Sequence, residues 1–461
     1  MSIYDPSIFR AYDMRGVYPT QMNEKVAYAA GQGFVSVTGA KKVVVGRDVR
    51  SSGESMVESM IRGITEAGAD VIEVGVISTE MLYFAAGRLE CDGGLSITAS
   101  HNPPQWNGIK CIGKGAIPLT KEGDLGKIYE FIQSNRKIEQ FEKGHVEHID
   151  LLPMYAQYLQ KFVPENVLQL KLVANTNFGA NGKVVDAATA SLPLEIIRLN
   201  WQEDGTFPKG TPDPLLPKNR TEISQRIAAE QASFGAAWDA DADRCFFYDE
   251  KGRFFHGYYI TALLIKAFLE KEPGTPVISE RRLVWANQDA AKAGGSELIF
   301  SRTGHGYIKK AMRDHQAIFA GEMSGHYYYR DFFFCDNGLI TFLTVLNVFS
   351  REISAGRKVS DLLNYYLQKY PTMQNEANFI STEADRILEE ASTRYADATQ
   401  DKADGLSAAY PDWRFNLRKS DNEPLLRLNI EARTPDELDK RVAELKEFMT
   451  EQGATLRNDK E

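Results

Sequence analysis

At 461 residues the chain is too long for one hydrophobic core, and three or four domains are expected. With 43% hydrophobic and 25% charged residues it is not a largely disordered chain. A formal net charge of −9 argues against a nucleic-acid partner, while local Arg and Lys residues leave an anionic small substrate open. The four cysteines (Cys91, Cys111, Cys245 and Cys335) are scattered and form no C-x-x-C pair, so neither a zinc site nor a disulfide scaffold is indicated. The first residues lack a positive region followed by an apolar run, and no apolar stretch approaches the roughly 18 residues that span a bilayer. A cytoplasmic protein is expected, with no membrane partner.

Residues 42 to 46 predict a short buried strand, because β-branched residues run up to a glycine. A helix follows from Gly53 to Glu66, with Met56, Met60, Ile61 and Ile64 at helical spacing, and then a strand at Val71-Ile72-Glu73-Val74. A further strand, Gly94-Leu95-Ser96-Ile97, runs into Thr98-Ala99-Ser100-His101-Asn102-Pro103. The same order returns with strands at 170–174 and 194–199, and at 235–238, which leads into Asp239-Ala240-Asp241-Ala242-Asp243-Arg244. It returns again with strands at 276–279, 297–300 and 317–320, the last emptying into Gly321-Glu322-Met323-Ser324-Gly325-His326.

Strands alternating with helices predict α/β layers with mixed, largely parallel sheets, and the three polar loops sit at strand carboxyl ends, where such sheets place ligands. Three similar α/β domains around a shared cleft are therefore expected, at 1–150, 151–252 and 253–370. The remainder, 371–461, predicts an α+β domain: a helical stretch over 382–396, a break at 401–405, strands at 413–417 and 425–430, and a final helix over 434–450. Thr434 and Glu437 are spaced as a capping box for that helix.

Asp239, Asp241 and Asp243 alternate along one short loop, where they would repel each other unless a cation bound them; hard oxygen donors suit Mg²⁺ or Ca²⁺. A solvated acidic turn is the alternative. An EF-hand fails, because Arg244 stands where the sharp turn requires Gly and the flanks predict strands. Ser100 leaves a buried strand, and Pro103 is expected to hold its loop extended. A base or a metal would make this serine a nucleophile, although an ordinary turn reads equally well. A Ser-His-Asp hydrolase is disfavoured: no G-x-S-x-G elbow is present, and an adjacent histidine rarely reaches its neighbouring serine. Arg418, Lys419, Ser420, Asp421, Asn422 and Arg427 make a donor-rich segment suited to a phosphate dianion or to surface salt bridges. The run Arg302-Thr303-Gly304-His305-Gly306 reads as ligand contact or as a plain turn.

Taken in order, these loops resemble those of the α-D-phosphohexomutases along essentially the whole chain. The Ser100 loop is similar to the family's phosphoserine loop, residues 239–244 to its D-G-D-G-D-R metal loop, 321–326 to its sugar-binding loop and 418–427 to its phosphate-binding loop. The opening Phe9-Arg10-Ala11-Tyr12-Asp13-Met14-Arg15-Gly16 also resembles its N-terminal motif. G-E-M-S-G-H, together with Thr303-Gly304-His305 and Arg282-Leu283-Val284-Trp285, is most similar to the phosphomannomutase/phosphoglucomutase branch. The chain departs from the pattern at Ala240 and Ala242, which replace glycines, and at Asp421 and Asn422, which replace Asn and Thr. Asp421 would repel a phosphate unless it faced away or paired with Arg418 or Lys419.

The resemblance implies a phosphorylated Ser100 that passes its phosphoryl group to mannose 1- or 6-phosphate, giving a hexose 1,6-bisphosphate that returns its other phosphate to Ser100. It implies Mg²⁺ on Ser100, Asp239, Asp241 and Asp243, and proton transfer or charge neutralisation by His101, Lys110 and Arg15. Substrate contacts are implied at Tyr12, Arg244, Thr303, Gly304, His305, Glu322, Ser324 and His326, and at Arg418, Ser420, Asn422 and Arg427. The fourth domain would then be a moving lid on a monomer or homodimer. Mannose phosphate is the implied substrate, glucose phosphate a further one, with GDP-mannose supply as the pathway. A metal-dependent phosphatase, a nucleotide-sugar transferase and a non-catalytic sugar-phosphate sensor remain as alternatives.

Overall fold

The computed structural model describes residues 4–138, 140, 142–373, 375–420 and 425–457. Among them the strands form four sheets. In the first, Trp106–Gly113 lies antiparallel to Gly93–Ile97, which runs parallel to Lys42–Arg47, and that strand is parallel to Asp70–Val76. The second repeats this order with Cys245–Asp249, Phe234–Trp238, Leu170–Asn175 and Leu194–Leu199. The third repeats it with Tyr327–Tyr329, Phe319–Gly321, Val277–Glu280 and Leu298–Ser301.

This shared order sharpens the expected pattern. Each sheet is mixed, and each chemistry-bearing loop is the turn of an antiparallel hairpin rather than a strand-to-helix connection. The first strand of the third hairpin begins at Phe319, two residues later than expected, because Ile318 is used in the entry to the sheet: its N–H donates to the Pro276 carbonyl.

The helix Gly53–Glu66 forms over its predicted span because Met56, Met60 and Ile64 share one fully buried face. It meets the helix Glu24–Thr38 backbone to backbone: a Cβ on Gly63 would lie 2.2 Å from the Tyr28 carbonyl oxygen. The helix Thr79–Arg88 is buried along Thr79 to Ala86 and has no solvent face, as expected of a helix enclosed by several layers. It joins three units. Thr79 N–H donates to the Asp241 carbonyl at 2.9 Å, Leu339 N–H donates to Glu80 Oε2 at 3.3 Å, and Phe84 packs on Tyr155, which faces Phe332. One hydrophobic core accordingly runs through the first three units.

The fourth unit differs. Its sheet, ordered Thr399–Asp401, Leu406–Ala409, Trp413–Lys419, Leu425–Ala432, Ala377–Ile380 and Thr455–Leu456, is antiparallel throughout and has its own core. The helices Ala384–Arg394 and Pro435–Glu451 are the expected pair. Of the predicted capping box only half forms: Thr434 accepts from Glu437 N–H, while the Glu437 carboxylate turns to Arg441 at 2.7 Å, a full charge outcompeting a backbone amide.

Glu431 docks this unit on the third. Fully buried, it accepts from Val284 N–H (2.7 Å), Trp285 N–H (3.2 Å) and Tyr258 Oη (2.5 Å), and it pairs with Arg414 at 2.9 Å. Arg414 in turn donates to the carbonyls of Arg281 and Arg282. No helix among the described residues is long and apolar enough to cross a membrane.

Replacing Glu431 by Ala strands the buried Arg414 charge and two helix-end amides, and is expected to cost about 3–5 kcal/mol. Calorimetry should then show the fourth unit melting in a separate, earlier transition; unchanged unfolding would contradict the assigned anchor.

Candidate active site

Ser100 sits in the first hairpin turn and is 3% exposed. Its loop is a tight turn, not the extended segment expected from Pro103: Asn102 N–H donates to the Ala99 carbonyl, and Ser100 itself holds φ +49°. For a residue with a Cβ this left-handed conformation costs about 1 kcal/mol or more and needs an external constraint.

Arg50 supplies it. Its buried guanidinium donates to the carbonyls of Ser100 and Asn102 through one terminal nitrogen (both 2.7 Å) and to those of Pro103 and Trp106 through the other (2.8 and 2.9 Å). Its Nε donates to Asp48 Oδ2 at 3.2 Å, so all five guanidinium protons are used. Asp48 also takes the Thr98 hydroxyl at 2.7 Å. Neither Asp48 nor Arg50 was singled out from sequence, although both follow a predicted buried strand, where the strand-end rule points.

The second turn brings its carboxylates to this serine. Ser100 Oγ donates to Asp239 Oδ2 at 3.0 Å and lies 3.1 Å from His101 Nδ1. The adjacent histidine therefore does reach its serine, because the left-handed turn folds the two side chains onto one side. Burial and the neighbouring Arg244 and Arg15 hold His101 well below its ordinary range, so the ring is neutral.

Ligand atoms of Asp239, Asp241 and Asp243 lie within 4.8 Å of one another, all buried. Arg244 Nε donates to Asp239 Oδ2 at 2.8 Å. Lys110 Nζ donates to Asp241 Oδ2 and Asp243 Oδ2 at 2.7 and 2.6 Å, and Thr79 Oγ1 donates to Asp241 Oδ2 at 2.6 Å. Burial pushes Asp239 up to about 7 against the pull of Arg244, with Asp243 and Asp241 adding to the rise. Burial would raise Asp243 too, but Lys110 and His326 outweigh it and hold it well below the carboxylate range. Lys110, although buried, is raised by Asp241 and Asp243 and stays charged.

Asp241 Oδ1 is buried with no hydrogen-bond partner, so one oxygen of the triad is open to a cation. This fits a divalent metal better than a solvated acidic turn. Ala242 takes φ +60°, a left-handed conformation that favours glycine; Ala240 does not share it. Thr79 was missed from sequence, being an unremarked first residue of a helix.

The third turn closes on the second through a bridge between Arg244 and His326 and the bond from Cys245 N–H to the Gly325 carbonyl. His326 Nε2 lies 3.4 Å from Asp243 Oδ1, and its Nδ1 lies 3.2 Å from Ser324 Oγ and 3.5 Å from Glu322 Oε2. Burial opposes its charge, but Asp243 and Glu322 raise it above its ordinary value. Glu322 also accepts from Gly304 N–H at 3.2 Å and from Tyr328 Oη at 2.5 Å. Tyr12 of the first unit packs against His305 in a tilted arrangement with ring centres 4.7 Å apart, and it fills the space a Cβ on Gly306 would need. Arg15 donates to Asp13 Oδ2 at 2.7 Å and to Asn102 Oδ1 at 2.8 Å, beside the serine turn.

A second cluster lies toward the fourth unit. Arg427 donates to Glu376 Oε2 at 2.9 Å and to Ser420 Oγ at 3.2 Å, and Arg282 reaches Glu376 Oε1 at 3.5 Å. Burial would raise Glu376, but Arg282, Arg427 and Arg418 hold it down to about 2. Arg418 is buried beside them. Glu376 and Arg282 were given no role from sequence; a lone Glu carries no motif. Asn422 and Asp421 lie outside the described residues.

Comparison with known proteins agrees along the chain's length. The family models described as phosphoglucomutase/phosphomannomutase, alpha/beta/alpha domains I, II and III match residues 6–139, 153–252 and 256–370. A phosphomannomutase of Salmonella montevideo is 38% identical over 435 residues, covering 92% of this chain and 94% of that protein. Phosphohexose mutases of Xanthomonas campestris are 37% identical, covering 92% and 95%. A phosphoglucomutase/phosphomannomutase family protein from Burkholderia thailandensis superposes with a TM-score of 0.88 at 28% identity, over 98% of this chain and 100% of that one. With three successive domains matched and a repeated hairpin bearing each loop, the chain belongs to the phosphoglucomutase/phosphomannomutase family, the α-D-phosphohexomutases.

Proposed function

We propose that this chain is a phosphomannomutase, an isomerase interconverting mannose 6-phosphate and mannose 1-phosphate in the cytoplasm, and accepting glucose phosphates as further substrates. The observation that carries the reading is the 3.0 Å contact of Ser100 Oγ with a buried three-carboxylate turn, on a chain resembling phosphomannomutases over nearly its whole length. Ser100 is the phosphoryl carrier and a hexose 1,6-bisphosphate the intermediate. The four domains are assigned to 1–150, 151–252, 253–370 and 371–461; pairing of Val146–His148 with Asp70–Val76 supports the first boundary.

Asp239, Asp241 and Asp243, with a phosphoserine oxygen, would hold Mg²⁺, whose hard oxygen preference suits this donor set. The bound ion would offset charge on the transferred phosphoryl group. Asp239, which accepts the Ser100 hydroxyl at 3.0 Å, and neutral His101, 3.1 Å from Oγ, are the groups in reach of the serine proton when Oγ attacks the bisphosphate. Lys110 and Arg15 act as fixed positive charges beside the reacting group, since a lysine between two aspartates is a poor base. Glu322 and Ser324, with Thr303, Gly304, His305, His326, Arg244 and Tyr12 around them, bind the sugar. Arg418, Ser420, Asn422 and Arg427 hold the phosphate that is not being transferred.

Ser100→Ala should abolish turnover even with added mannose 1,6-bisphosphate, and mass spectrometry should find phosphate on the wild-type Ser100 peptide. A variant with wild-type activity would overturn the carrier role, and release of inorganic phosphate in place of isomerisation would mark a phosphatase. Comparing mannose 1-phosphate with glucose 1-phosphate in the same assay sets the preference.

Millimolar Mg²⁺ should raise the melting temperature of the wild type, by an increment equivalent to about 2.7 kcal/mol at a hundredfold excess over Kd. Asp241→Asn should remove that rise. An unchanged rise in the variant would place the cation elsewhere.

A further inference from the structure

Glu280 ends the strand Val277–Glu280 of the third sheet, is 2% exposed and is not among the residues assigned to substrate above. Three groups converge on its carboxylate. Oε1 accepts from Met323 N–H at 2.8 Å, in the middle of the Gly321–His326 turn. Oε2 accepts from Arg282 Nε at 2.5 Å and faces Thr303 Oγ1 at 3.1 Å. Two of these groups continue into the fourth unit: Thr303 donates its N–H and its hydroxyl to Asp404 Oδ2 at 2.9 and 2.7 Å, and Arg282 reaches Glu376.

The Thr303 hydroxyl has one proton and two carboxylates to give it to, one from each unit. It stands 2.7 Å from Asp404 Oδ2 and 3.1 Å from Glu280 Oε2, so its proton is shared between the two carboxylates and Asp404 fixes the hydroxyl that Glu280 meets. The Glu280 carboxylate is held from three sides only while Thr303 and Arg282 are themselves held from the fourth unit. Carboxylate orientation is thus a mechanical link: a shift of Asp404 changes what Oε2 meets, and Oε1 carries the change to the backbone of the Met323 turn. Arg281 supplies a contrast, because its side chain joins the same two units through Asp401 at 2.8 Å and makes no hydrogen bond to the Glu280 carboxylate.

We propose that Glu280 is a positioning residue that couples seating of the fourth unit to the geometry of the Gly321–His326 turn. Its consequence for catalysis rests on the reading of that turn as the sugar-binding loop: the sugar site is set only when the phosphate-binding unit is in place.

The direct test needs no substrate. Hydrogen exchange is followed in the peptide containing Met323, in the full-length protein without ligand. Asp404→Ala should speed exchange there about tenfold, since an amide whose partner is less well held opens more often. Arg281→Ala, which loosens the same interface elsewhere, should not. Glu280→Gln should speed it alone, and the double variant with Asp404→Ala should add nothing further, as expected of two residues acting through one chain of contacts.

Unchanged exchange in Asp404→Ala, an equal effect of Arg281→Ala, or multiplied effects in the double variant would overturn the coupling. In the isomerase assay the KM for mannose 1-phosphate should rise about tenfold in Asp404→Ala, the scale of one hydrogen bond to a charged group. Absence of any isomerisation by the wild type would sink the functional reading while leaving the exchange result to decide the coupling.

Discussion

Three buried carboxylates on one hairpin turn are the constraint around which this protein is arranged. At separations within 4.8 Å each pair repels by roughly 3–4 kcal/mol even in a moderately polarisable interior. Burial adds several kcal/mol for each charge taken out of water. No single unit offsets this. Lys110 and Thr79 come from the first, Arg244 from the second and His326 from the third. Electrostatic compensation therefore requires the first three units to meet, and the shared core behind them follows the same geometry. The positive charges gathered for the aspartates are the ones a dianionic phosphoryl group also needs.

The repeated sheet order explains how three chemically different loops arrive at one place. Each is the turn of a hairpin leaving the central parallel strand, so packing three such sheets with their hairpin ends inward brings Ser100, the aspartates and Glu322 together. Precision then comes from local clamps. Arg50 uses every guanidinium proton to hold the serine turn in a backbone conformation that a residue with a Cβ resists. The fourth unit is attached differently, through the Glu431–Arg414 pair, and carries its arginines with a buried glutamate among them. Asp401 and Asp404 add further polar contacts to the third unit, and the fourth unit keeps a core of its own.

Much of this was legible in the sequence because it rests on local pattern. Buried strands such as 42–47 and the helix Gly53–Glu66 are written in apolar spacing, and the chemistry-bearing turns in dense polar runs. What escaped has a common cause. Arg50, Thr79, Glu280, Glu376 and Glu431 are single polar residues whose partners lie far along the chain, so no spacing rule marks them. The hairpin character of the turns escaped too, since a strand end looks alike whether a helix or a strand follows. The shape of the serine turn was misjudged for a related reason: Pro103 disfavours a local helix, but the carbonyl clamp from Arg50 decides the fold of the turn.

The central claim is that Ser100 passes its phosphoryl group to the sugar and to nothing else. It is tested most directly by isolating enzyme labelled with radioactive phosphate on Ser100 and mixing it with unlabelled mannose 1-phosphate for a single turnover. The account predicts that label leaves the protein and appears in sugar phosphate, passing through the 1,6-bisphosphate, with none in inorganic phosphate. Label that remains on Ser100, or that appears as inorganic phosphate, would contradict it.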